Sequence, residues 1–168
     1  MKKSISLSVL SLAFLFSFVL GAQAQSGKEI IEPVTSTWYA TFKDLPLNKG
    51  CVFRTWEAFG IVMSDTGTGL FHGATVRCVG SVYVDNGVFE GDVAYGYYLL
   101  QSGDKVFFKT TFVRKPGNPT KATTTLIGGT GKCVGIQGSY DLVGYSLKPA
   151  MEGIGQSYNK LNIKYQLP

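Results

Sequence analysis

The chain has 168 residues, of which 45% are hydrophobic and 13% aromatic, with 21 glycines and a formal net charge of +5. The lysines are scattered and no arginine-rich run occurs, which argues against a nucleic-acid binder. A single histidine and three cysteines without metal-site spacing argue against a metal centre.

The N-terminus reads as an export signal. Lys2 and Lys3 precede an apolar run over 5–20, and Ala22-Gln23-Ala24 is a small-x-small cleavage site. Residues 1–24 are therefore expected to be a signal peptide cut near Ala24/Gln25. The short Lys-Lys start points to a bacterial protein, secreted or periplasmic. The apolar run is short for a spanning helix, and no later segment is long and apolar enough, so the mature chain is expected to have no membrane span. Residues 25–33 are polar, end at Pro33 and read as a flexible leader. The remaining 34–168 suit one domain with a single core.

From there the chain is a series of β-type runs: 34–43, 51–63, 69–84, 88–101, 105–114, 122–127, 136–145 and 154–167. Gly, Asn, Asp and Pro clusters separate them. Asn86-Gly87 is the strongest hairpin signal, because both positions tolerate positive φ. Eight regularly spaced strands without helical periodicity predict an all-β domain, a single eight-stranded antiparallel up-and-down barrel.

The hairpins suggest a register. With Asn86-Gly87 as a two-residue loop, Cys78 faces Tyr95, Val76 faces Tyr97 and His72 faces Gln101. A turn at Gly103-Asp104 adds Phe108 and Phe112 to the same face. That face is mostly apolar, so it is expected to line the interior, with Arg77, Ser81, Glu90, Asp92 and Lys109 outside. The turn near Asp65-Thr66-Gly67 leaves the 51–63 run free to take several registers. One of them places Cys51 opposite Cys78, where a disulfide would form in an oxidising compartment. Glu57 then falls opposite His72, on a face with Phe53, Phe59, Ile61 and Met63. Glu57 and His72 become a candidate acid/base pair. Gln101, Tyr95, Tyr97, Phe53, Phe59, Phe108 and Phe112 become candidate contacts to a substrate. Trp56 and Tyr98 are expected outside. Cys133 has no base assigned to it, and a satisfied polar network around Glu57 and His72 remains the alternative to catalysis.

One stretch carries a family resemblance. Gly128-Gly129-Thr130-Gly131-Lys132-Cys133-Val134-Gly135-Ile136-Gln137-Gly138, running into Ser139-Tyr140-Asp141-Leu142, resembles the glycine-rich turn near the end of the allene oxide cyclase and dirigent-protein barrels. Cys133 stands where that pattern has an aromatic residue. The resemblance implies a calycin-like barrel and cofactor-free chemistry on a small hydrophobic molecule, a cyclisation, isomerisation or stereoselective coupling directed by orientation. A non-catalytic carrier, or a structural or interaction barrel with a filled interior, is the alternative of the same fold. Oligomeric state is not legible in the chain.

Overall fold

The computed structural model describes residues 27–115 and 117–168. The signal peptide expected over 1–24 lies outside the described residues, as do residues 25 and 26. Eight antiparallel strands follow one another round a closed barrel: β1 (Ile30–Asn48), β2 (Cys51–Ser64), β3 (Ala74–Asp85), β4 (Val88–Leu99), β5 (Lys105–Val113), β6 (Thr120–Gly129), β7 (Gly138–Leu147) and β8 (Ile154–Tyr165). β1 pairs with both β2 and β8, and β7 pairs with β8 over 144–147, which closes the wall. A single 3-10 turn, Gly131–Cys133, joins β6 to β7. The all-β barrel inferred from strand spacing is the observed fold.

β1 starts earlier than the sequence suggested. Ile30, Ile31, Glu32 and Pro33 pair with Tyr165, Lys164, Ile163 and Asn162, so residues 30–33 are wall and not leader. Pro33 lacks an N–H, but its carbonyl still accepts the Asp65 amide at 2.9 Å, and the strand passes through it.

The β3–β4 hairpin forms as expected. Asn86 and Gly87 take positive φ (47° and 85°), and Asp85 pairs with Val88. Further along, the register slips. Ser81 faces Val93 but Tyr83 faces Glu90, so β4 carries one extra residue, with Gly91 at φ +65°. Such a bulge turns every later side chain to the opposite face. Cys78 therefore faces Gly96 and Val76 faces Tyr98. Ala94, Tyr98 and Asp92 point in and are buried, whereas Tyr95 and Leu99 are exposed.

β2 is inverted as well. Cys51 pairs with Asp85, and Cys78 pairs with Ala58. The inward residues are Trp56, Ala58, Val62 and Ser64, while Phe53, Phe59, Ile61 and Met63 are exposed. The expected Cys51–Cys78 disulfide is thus absent. All three cysteines are free and buried, and the Cys51 thiol donates to Asp85 Oδ1 at 3.0 Å. Denatured, non-reduced protein should take up three equivalents of iodoacetamide by mass. Uptake of a single equivalent would mean that two of the thiols are linked.

The interior alternates large and small residues. A Cβ on Gly80 would lie 2.4 Å from the Trp56 ring, and one on Gly96 would lie 2.7 Å from the Phe108 ring. Glycine at these positions is what allows the two aromatic rings inside. Gly80→Val should therefore displace Trp56 and cost about 1–3 kcal/mol by overpacking, read as a lower urea midpoint.

One end of the barrel is plugged. The loop between β2 and β3 folds inward, and Phe71 is fully buried, edge-on to Tyr98 (5.0 Å between centroids) and Tyr165 (5.5 Å). Val34, Leu100, Cys133, Ile136 and Ile163 fill the same end. Glu32 anchors the loop: its carboxylate accepts the Phe71 amide at 3.2 Å, with the Tyr165 hydroxyl at 3.5 Å. Burial raises the Glu32 pKa above the ordinary carboxylate range, more than the Phe71 and Leu70 amides lower it. A raised folded-state pKa means the ionised carboxylate is disfavoured inside. The associated stability is fully present below the unfolded-state pKa and is lost as pH rises through the folded-state value. Glu32→Gln, which keeps an acceptor for the amide, should therefore gain stability over wild type as pH rises from about 4 to 7. A thermal shift between the two that does not change with pH would contradict this.

Candidate functional site

The unplugged half of the interior holds a cavity of about 170 Å3, open at the rim that carries the β1–β2, β3–β4, β5–β6 and β7–β8 turns. Its size is near that of cavities known to take a single aromatic ring. Trp38, Trp56, Tyr98, Phe108, Phe112 and Leu142 give it aromatic and apolar walls. Closely spaced small residues, among them Ala40, Ala58, Gly144 and Gly155, keep the space open. The Cys78 thiol also lines it, and burial pushes that thiol's pKa up to about 12, which keeps it protonated and a poor nucleophile.

Three polar groupings interrupt the apolar wall. Near the rim, Arg114 Nε donates to Asp92 Oδ2, and Trp56 Nε1 donates to Asp92 Oδ1 at 3.3 Å. The Asp92 side chain is only 2% exposed and that of Arg114 is 30% exposed, so the pair is buried from the carboxylate side. The guanidinium sits over Phe112 at 4.9 Å and Trp56 at 5.9 Å, which fixes both rings at the mouth. Deeper in, the Tyr98 and Tyr140 hydroxyls are 2.5 Å apart, and those of Thr110 and Thr124 are 2.9 Å apart. Burial drives the Tyr140 pKa up to about 12 and that of Tyr98 well above its ordinary value, so both phenols stay neutral. On the far wall, Trp38 Nε1 donates to Ser36 Oγ at 3.0 Å.

Of the residues expected at the site, Phe108 and Phe112 line the cavity. The others do not. Glu57 lies on the outer face, bonded to Arg77 Nε at 2.6 Å. His72 lies in the plugging loop near Glu32, and its Nδ1 is buried with no hydrogen-bond partner. The proposed acid/base pair is therefore not assembled: Glu57 faces Val79 in mid-barrel, and His72 belongs to the closed end. Gln101 sits in the β4–β5 turn, where its Nε2 donates to the Gly73 carbonyl and braces the plug. Tyr95 and Tyr97 face outward beneath Lys109 (5.9 Å) and Lys105 (4.7 Å). Phe53 and Phe59 are exposed, and Arg77 lies 5.7 Å from the Phe59 ring. Cys51 is at the rim and Cys78 in the wall.

Conversely, Trp56, Tyr98 and Asp92 were expected outside and stand inside. The signal that could have shown this is Gly91, an extra glycine breaking the alternation of β4. Another is the small residue Gly80, which leaves space for a tryptophan on the neighbouring strand. Among the described residues no group of three or more His, Cys, Asp and Glu is placed to hold a metal ion. No helix among them is long and apolar enough to cross a membrane, a statement that leaves strands aside. A scan against protein-family models and a search of curated proteins each return no match to this chain.

Proposed function

We propose that this chain is an exported barrel that binds one small hydrophobic molecule in the open half of its interior. The observation that carries the reading is the cavity itself: about 170 Å3, walled by aromatic rings and open at one rim. The plug at the other end and the Asp92–Arg114 clasp at the mouth give it fixed walls, which lowers the ordering cost of binding. The resemblance of 128–138 to allene oxide cyclase and dirigent barrels agrees with a hydrophobic ligand. A catalytic version, in which the bound molecule is cyclised or coupled, loses the Glu57–His72 pair and rests on orientation by the cavity wall.

The chain's two tryptophans, Trp38 and Trp56, both line the cavity, so their emission reports its occupancy. Titration with α-methylstyrene should change that emission saturably, and Ala58→Leu, which fills the cavity, should abolish the change. A linear, non-saturating response that is the same in both proteins would refute the reading.

A second reading has its own observation. The outer face of β2–β4 exposes Phe59, Ile61, Met63, Val79 and Tyr95, an apolar band that suits an interaction barrel. Under that reading Ala58→Leu leaves function intact and Ile61→Lys abolishes it.

A further inference from the structure

The polar groups at the cavity floor form two hydroxyl pairs. Tyr98 is bonded to Tyr140 and Thr110 to Thr124. Each hydroxyl owns one proton and can accept as well. Two hydroxyls joined by one hydrogen bond use one proton and leave one over, so each pair has a surplus proton. On Tyr140, which does not line the cavity, that proton would be a buried unpaired O–H, which costs free energy. On Tyr98, Thr110 or Thr124, which line the cavity, it costs nothing once an acceptor arrives.

We infer that the cavity floor offers its ligand neutral hydroxyl donors, and that the ligand is an apolar molecule carrying a carbonyl oxygen at its buried end. This deepens the ligand-binding reading and rests on it. These donors cannot ionise near neutral pH, because both phenols are held protonated. Among the described residues Arg114 is the cation that lines the cavity, and it is at the rim and tied to Asp92. A carboxylate would therefore be buried there without a counter-charge. An ammonium would meet the surplus proton instead of an acceptor. A carbonyl accepts the proton and brings no charge.

Acetophenone and α-methylstyrene test this as a matched pair of nearly equal shape, one ending in C=O and the other in C=CH2. In wild-type protein, isotope-edited infrared spectra of bound acetophenone should show the carbonyl band at lower frequency than in hexane. In Tyr98→Phe/Thr110→Val/Thr124→Val the band should return toward the hexane position. The affinity of the ketone relative to the alkene should fall about tenfold in that variant, the scale of one buried hydrogen bond. Both probes binding with an unshifted carbonyl band would overturn the hydroxyl inference and leave the cavity reading standing. Neither probe binding would overturn the cavity reading and this inference with it. If the triple variant does not fold, the wild-type infrared band decides alone.

Discussion

Replacing Arg114 with alanine is expected to cost about 3–5 kcal/mol of folding free energy, the scale for breaking a buried ion pair from one side. Asp92 is 2% exposed at its side chain, so its carboxylate cannot exchange Arg114 for water. Trp56 Nε1 would remain its one side-chain donor. The truncation also removes the guanidinium from the Phe112 and Trp56 rings, so the mouth of the cavity should loosen. Urea unfolding checks this as a lower midpoint at constant m. Asp92→Asn provides the contrast. It keeps an acceptor for Trp56 and strands only Arg114, which is 30% exposed and can hydrate. Its cost should be about 1–2 kcal/mol. A reversed ranking of the two variants would mean that the carboxylate is in fact reached by water.

The second large effect lies at the plugged end. Phe71→Ala should destabilise by about 3–5 kcal/mol, because the ring is fully buried and the surrounding barrel wall can collapse only in part. Tyr98 and Tyr165 would lose the ring edge-on to each of them. Tyr98 also carries one of the floor hydroxyls, so α-methylstyrene should bind more weakly and acetophenone weaker still. Phe71→Leu should cost about 1.5 kcal/mol or less, being nearer in volume. Equal costs for alanine and leucine would show that the loop, and not its ring, holds the end shut.

The outcome at β2 shows how a correct strand can yield a wrong site. Residues 51–63 were legible as a strand, and their odd-numbered positions form the more apolar set. After it the sequence predicts a turn near Asp65-Thr66-Gly67. Instead the chain stays out of strand until Ala74, and Phe71 turns into the core. Cys51 thus meets Asp85 rather than Cys78. The two registers differ by an odd number of residues, and an odd slip exchanges the faces. Glu57, Phe53 and Phe59 moved outside together, and Trp56 moved inside. The bulge at Gly91 did the same to β4, carrying Tyr95 and Tyr97 out and Asp92 and Tyr98 in. β5 itself carries no extra residue, because the slip beside Phe107 and Phe108 is taken up by Ile127 of β6, and there the expected inward residues Phe108 and Phe112 are the ones found in the cavity.

Local chemistry determined the strands, the tight turn at Asn86-Gly87 and the closed all-β barrel, because propensity, alternation and positive φ act over a few neighbouring residues. The tertiary structure alone decided which face of each strand is the inside. That choice depends on register across strands, on one extra residue at Gly91 and on whether a tryptophan finds a glycine opposite it. The interior of an eight-stranded barrel is too small to take every apolar side chain, so register, and not hydrophobicity, decided between Trp56 and Phe59 and between Tyr98 and Tyr95.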